Sequence, residues 1–173
     1  MPLHVAAGSS TRWAYLASAW CVAFALLHVF WALGGERGLA ESAGVDLATR
    51  RPASFVLVGL WGMAGLLMLG AALGGALVHT RPGGRPRRLA ILAGLLVGIT
   101  LLVRGVVVDI VLLLDAGGIA SSVGPAQARW SLLLWNPWFI LGGAAFLFAT
   151  YRCARPRRRL WTRRSRAGQG GPR

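Results

Sequence analysis

Four long apolar runs dominate the chain, at residues 13–33, 54–78, 89–114 and 130–151. A helix needs about 20 apolar residues to cross the hydrocarbon of a bilayer, and each run is near or above that length. Lipid offers no hydrogen-bond partners to the backbone, so each run is predicted to be a helix. The pattern predicts an all-α fold, an integral membrane four-helix bundle over residues 13–151. Residues 1–12 form a short N-terminal segment, and 152–173 a polar tail. The first run reads as a span rather than a cleaved leader, because a leader's apolar core is only about 7–15 residues long.

Within the runs, small residues recur at helical spacing. Ala14, Ala17, Cys21, Ala25, His28 and Ala32 share one face of the first span. Gly59, Leu66, Gly70 and Gly74 line up on the second. Gly94, Gly98, Gly105 and Asp109 line up on the third, and Asn136, Gly143 and Thr150 on the fourth. Small faces in lipid are packing faces, because they let helix backbones approach closely. Four such faces predict a compact bundle with the polar residues turned inward.

Composition agrees: 55% of the 173 residues are hydrophobic and 14% charged, against about 25% charged in soluble domains. All 19 basic residues are arginine, and the net charge is +14. Arg12, four arginines at 81–88 and nine at 152–173 fall on one side of the predicted membrane, with no acidic residue. On the other side Arg37, Arg50, Arg51 and Arg129 balance Glu36, Glu41, Asp46 and Asp115. Cytoplasmic loops carry the arginine excess, so both termini are predicted to be cytoplasmic (N-in/C-in) and the protein to lie in the cell membrane. Topology thus accounts for the charge, and no nucleic-acid partner is expected. The tail is too polar to build a core and is predicted to be disordered. Near the membrane it should attract anionic phospholipid headgroups.

The candidate chemistry sits inside the spans. His28, Asp109 and Asn136 lie five or six residues from the outer ends of their runs, roughly 8–9 Å below the boundary at 1.5 Å per residue. Arg104 lies one to two turns deeper and is poorly aligned with Asp109 on its own helix. Intramembrane charges pair or line cavities. The candidate ligand-binding set is therefore His28, Trp31, Arg104, Asp109, Asn136 and Trp138, around an outward-opening polar pocket. The alternative is an inert Arg104–Asp109 pair beside a hydrogen-bonded histidine. In the segment Trp135-Asn136-Pro137-Trp138, Asn136 is expected to cap a half-helix that begins at Pro137, which breaks or kinks the fourth span. Trp61 is expected to face lipid. Cys21 and Cys153 lie at different depths and form no C-x-x-C pair, which argues against redox or metal chemistry.

The stretch from His28 to Gly35 (His-Val-Phe-Trp-Ala-Leu-Gly-Gly) resembles a motif of a bacterial membrane family, domain of unknown function 3995. Arg104 with Asp109, and Asn136-Pro137-Trp138-Phe139, fit the same resemblance. It would cover about residues 13–151, with the arginine tail an addition to the common core. It implies a four-span membrane fold and carries no activity with it.

No nucleotide, zincin or serine-hydrolase motif occurs, and no cofactor, metal or catalytic residue is predicted. Three functions remain. One is binding or transport of a small molecule in the outer polar pocket. The second is an accessory or scaffold subunit that uses its glycine faces to join a membrane partner or another copy of itself. The third is a membrane enzyme on a lipidic substrate, with His28 and Asp109 as acid and base.

Overall fold

The computed structural model of the protein describes residues 5–80 and 84–155, with side chains from residue 11 onward. The arginine-rich tail read from the sequence lies almost wholly outside the described residues. Among the described residues nearly all are helical and there are no strands. Helix α1 runs over Val5–Ala32, so it begins well before residue 13, where the apolar run starts. Two short helices follow, α2 (Leu39–Ala43) and α3 (Val45–Arg50). A π-helical stretch, Phe55–Gly62, continues directly into α4 (Met63–His79). Then come α5 (Arg85–Leu113), the short α6 (Ile119–Val123) and α7 (Pro125–Trp130), a second π-helical stretch (Ser131–Trp135), and α8 (Asn136–Ala154).

Four continuous helical segments are long and apolar enough to cross a membrane: Thr11–Ala32, Phe55–His79, Arg85–Leu113 and Pro125–Ala154. Each contains or closely overlaps one of the apolar runs. Their outward surfaces are themselves apolar, with Leu57, Val58, Leu92, Leu133 and Leu141 all exposed. A soluble protein rarely exposes so much contiguous apolar surface. Helix α1 packs on α4 and α8, and α5 packs on α8 and, less extensively, on α4.

Small residues set these contacts. On α1, Ala14, Ala17, Cys21, Ala25 and His28 are buried, as their spacing predicts. Gly70 and Gly74 of α4 lie against Cys21, Ser18 and Ala14. Between α5 and α8 the backbones themselves touch: a Cβ on Gly143 would come within 2.8 Å of the Gly98 carbonyl oxygen and the Leu102 nitrogen.

Two expectations are corrected here. Leu66 does not share the packing face of Gly70 and Gly74, being 61% exposed, whereas Leu60, Ala64, Leu67 and Gly74 are buried. Within α4, Leu67 stands seven residues from Gly74 and shares its face, whereas Leu66 stands eight residues away and about 80° round the helix. Nor is the fourth span broken at Pro137. Trp135 and Asn136 both keep right-handed helical backbone angles, and Asn136 makes no side-chain cap. The Asn136 N–H instead bonds the Ser131 carbonyl, five residues back. A proline ring clashes with the carbonyl four residues before it in a regular α-helix. The wider π turn at 131–135 gives that ring room and lets the helix pass through.

The loop at 33–53 is tied onto the end of α1. Arg51 adopts a left-handed backbone (φ 43°) and its guanidinium donates to the Trp31 and Gly35 carbonyls, both at 2.8 Å. These carbonyls belong to the C-terminal end of α1, where a cation is favoured. The Trp31 indole N–H donates to the Arg37 carbonyl at 2.8 Å, and Leu39 is buried with Trp31 and Leu60. In the other loop, Asp115 accepts from the Ala120 and Ser121 N–H groups and the Ser121 hydroxyl, which hold its carboxyl below the usual range, the Ser121 bonds first.

Candidate functional site

Three polar residues of the long helices, Arg104, Asn136 and Asp109, form one connected chain. Asn136, 1% exposed, donates from Nδ2 to Asp109 Oδ1 at 2.8 Å. Its Oδ1 accepts from the Arg104 guanidinium at 3.3 Å. The amide is therefore oriented with its donor on the carboxylate and its acceptor on the cation, the arrangement its chemistry requires. Arg104 and Asp109 make no direct ion pair, and among the described residues Arg104 has no carboxylate within salt-bridge distance. Its guanidinium carbon lies over the Phe139 ring, 3.7 Å from the centroid. That cation–π contact holds the side chain toward α8 rather than along α5.

Beside this chain is a cavity of about 660 Å³, bounded by α1, α4, α5, the second π stretch and the start of α8. Its volume lies in the usual range for small-molecule sites. It is graded along its length. Toward the 33–53 and 114–130 loops it is lined by His28, Ser42, Arg104, Ser131 and Trp135. Farther from those loops it is lined by Cys21, Leu69, Gly70, Leu73, Leu96 and Val97. Met63, Leu66, Leu69 and Leu96, which line the α4–α5 side, are also exposed on the outer surface. The cavity thus opens sideways between α4 and α5, a less extensive contact than α1 with α4 or α5 with α8.

His28 donates from Nδ1 to the Phe24 carbonyl at 2.8 Å, since a carbonyl can only accept. In the neutral imidazole this bond leaves Nε2 as the acceptor. Its ring sits edge-on to Phe24 (4.7 Å) and Trp31 (5.2 Å).

Of the six residues singled out from the sequence, the structure places Arg104, Asp109 and Asn136 in one hydrogen-bonded unit. His28 and Arg104 line the cavity together but are not bonded to each other. Asp109 and Asn136 lie behind its wall. Trp31 is fully buried as the anchor of the 33–53 loop. Trp138 stacks on Trp20 (5.8 Å) and accepts the Trp20 indole N–H on its carbonyl at 2.9 Å, on a separate apolar groove. The aromatic residues that do line the cavity include Phe24, Trp135 and Phe139, which the sequence reading passed over. The 135, 139 pair has i, i+4 spacing on the face next to Asn136, whereas 138 lies a quarter-turn away. Among the described residues no three His, Cys, Asp or Glu side chains gather to hold a metal ion.

No curated protein and no solved structure matches this chain. Residues 21–146 match a protein family described as a protein of unknown function, DUF3995, the family that the histidine–tryptophan–glycine stretch resembles. That match takes in His28, the Arg104–Asn136–Asp109 unit and every cavity-lining residue except Trp20, and the chain belongs to the DUF3995 family.

Proposed function

We propose that the protein is a multi-pass membrane protein, a four-helix bundle with both termini cytoplasmic, that binds a small amphipathic molecule in the cavity beside Arg104. The arginine asymmetry of the loops supports the orientation. It places the polar end of the cavity in the outer leaflet and residues 152–173 against anionic lipid headgroups.

The observation that carries the binding reading is Arg104. A cation in the middle of a membrane helix is costly unless it is paired or lines a cavity. This one has a neutral amide and an aromatic face for partners, and it lines a sizeable cavity. The glycine faces, which a scaffold subunit would offer to a partner, are occupied within the chain by α1 against α4 and by α5 against α8. That favours binding over an accessory role. His28 and Asp109 are not in contact, which removes the acid–base pair on which the enzyme reading rested.

The test is saturable binding of 11-(dansylamino)undecanoate to the full-length protein in lipid nanodiscs. Energy transfer from Trp20 and Trp135, both in the cavity wall, should rise to a plateau. Val97→Trp, which fills the apolar end, should abolish the saturable part while leaving the helical circular dichroism unchanged. A signal that only follows bulk partitioning, identical in Val97→Trp, would refute the binding reading.

A further inference from the structure

We infer that the occupant of this cavity is a single-chain amphiphile with an anionic head, a carboxylate or a phosphate monoester, which enters sideways from the outer leaflet between α4 and α5. This rests on the binding reading above and adds the chemical class of the ligand. Three features of the cavity carry it.

The first is the sign of what is unmatched. Arg104 has five N–H donors, and Asn136 Oδ1 is their only hydrogen-bond acceptor among the described residues. Trp135, in the same wall, has a buried indole N–H without a partner. Arg104 is the only charged side chain in the lining, and no acidic residue is present there. Unpaired donors and a cation with no carboxylate in direct contact, Asp109 being reached only through Asn136, call for acceptors and negative charge from the ligand. The planar guanidinium fits a carboxylate or phosphate through two parallel hydrogen bonds.

The second is the polarity gradient. The polar residues sit at the loop end of the cavity, and the far end is walled by Leu69, Leu73, Leu96 and Val97. A molecule that satisfies both ends has one polar head and one apolar tail, oriented as an outer-leaflet lipid is. The cavity volume of about 660 Å³ is that of a small-molecule site and suits one chain rather than two.

The third is the route. The lining residues Leu66, Leu69 and Leu96 are between 61% and 68% exposed on the outer surface. The tail can therefore slide in from lipid without leaving an apolar environment. The head travels at the level of the Ser42 and Ser131 hydroxyls until it reaches Arg104.

The experiment is photo-crosslinking of the full-length protein in phosphatidylcholine nanodiscs, with crosslinks mapped by mass spectrometry. Three diazirine-bearing probes of equal chain length are compared: a fatty acid, a lysophosphatidate and an uncharged monoacylglycerol. Crosslinks at Leu69, Leu73, Leu96 and Val97 from either anionic probe, at least about tenfold above those from the monoacylglycerol, are expected from the value of a charge-assisted contact. Which anionic probe dominates identifies the headgroup. Arg104→Gln should erase that preference and Arg104→Lys retain part of it. Equal labelling of the cavity by all three probes in the wild type would overturn the anionic assignment and leave the binding reading standing. Labelling of the cavity by none of them would overturn both. The wild-type comparison decides the matter even if the Arg104 variants fail to fold.

Discussion

Asn136→Leu should lower the stability of the protein in detergent by about 1–3 kcal/mol, through the loss of the partner shared by the exposed Arg104 cation and the half-buried Asp109 anion. The side chain is 1% exposed and bonded on both sides, to Asp109 at 2.8 Å and to Arg104 at 3.3 Å. Leucine has a similar shape and no hydrogen-bonding atoms, so packing is largely kept while Asp109 loses its donor and Arg104 its acceptor. Because Arg104 and Asp109 do not touch, their coupling should run through the amide. A double-mutant cycle measures this directly. In an Asp109→Leu background the cost of Asn136→Leu should shrink by at least about 1 kcal/mol, as expected for residues in one network. Additive losses in chemical or thermal unfolding would mean that the hydrogen-bonded unit contributes nothing as a unit.

The second large effect concerns the backbone contact of α5 with α8. Gly143→Ala is expected to destabilise by about 1–3 kcal/mol, the usual cost of forcing extra atoms into a packed site. The three nearest atoms are all backbone: the Gly98 oxygen and the Leu102 nitrogen at 2.8 Å from the new Cβ, and the Leu102 Cα at 3.1 Å. No side chain can swing aside, so the two helices must separate. That loss has to exceed the gain of up to about 1 kcal/mol that alanine brings over glycine inside a helix. Gly75→Ala provides the comparison, since nothing lies within 4 Å of its added Cβ. It should be neutral or stabilising. If both variants unfold at the same temperature as the wild type, the close approach of α5 and α8 is wrong.

The spans and much of their packing were legible because both depend on short-range regularities. Apolar length marks each crossing, and a repeat of small residues every three or four positions marks the face that meets a neighbour. Those rules led to Ala17 and Cys21 on α1, and to Gly98 and Gly143 between α5 and α8. They failed where the repeat itself changes. The π-helical stretch at Ser131–Trp135 alters the number of residues per turn, and Pro137 was given a break that this wide turn makes unnecessary. Leu66 was placed on the wrong face for a simpler reason: its eight-residue step to Gly74 leaves it about 80° off the packing face of α4. No local sequence signal distinguishes a π turn from an α turn in an all-apolar run.

The candidate site was legible in depth and only partly in direction. Asn136 and Asp109 do meet, because both lie on packing faces at one level. Arg104 joins them through its own length, as a long side chain on a mid-helix turn can. His28 was expected in the same cluster, yet its Nδ1 is taken by the Phe24 carbonyl one turn back on its own helix. A local bond of this kind competes with any long-range partner and depends on a rotamer that spacing does not fix. Trp31 was read as a pocket wall for its place beside His28. The loop that buries it is closed by Arg51, which reads in sequence only as one of a pair of flanking charges.

The central claim is an open cavity within the membrane-spanning part of the molecule, lateral between α4 and α5 and continuous at its polar end with the 33–53 loop through Ser42, where external water would enter. Thr100 lines it, 13 residues before Leu113 at the end of α5 and thus roughly 20 Å along the helix from that end. The direct measurement is the rate at which anionic sulfonatoethyl methanethiosulfonate, which does not cross membranes, modifies Thr100→Cys in a Cys21→Ala, Cys153→Ala background in intact cells. Leu92→Cys, exposed on the apolar outer surface of the same helix and outside the cavity, is the reference. Modification of Thr100→Cys from outside, with Leu92→Cys untouched, is the predicted result. Modification of Thr100→Cys no faster than Leu92→Cys, or only after the cells are made permeable, would contradict the account.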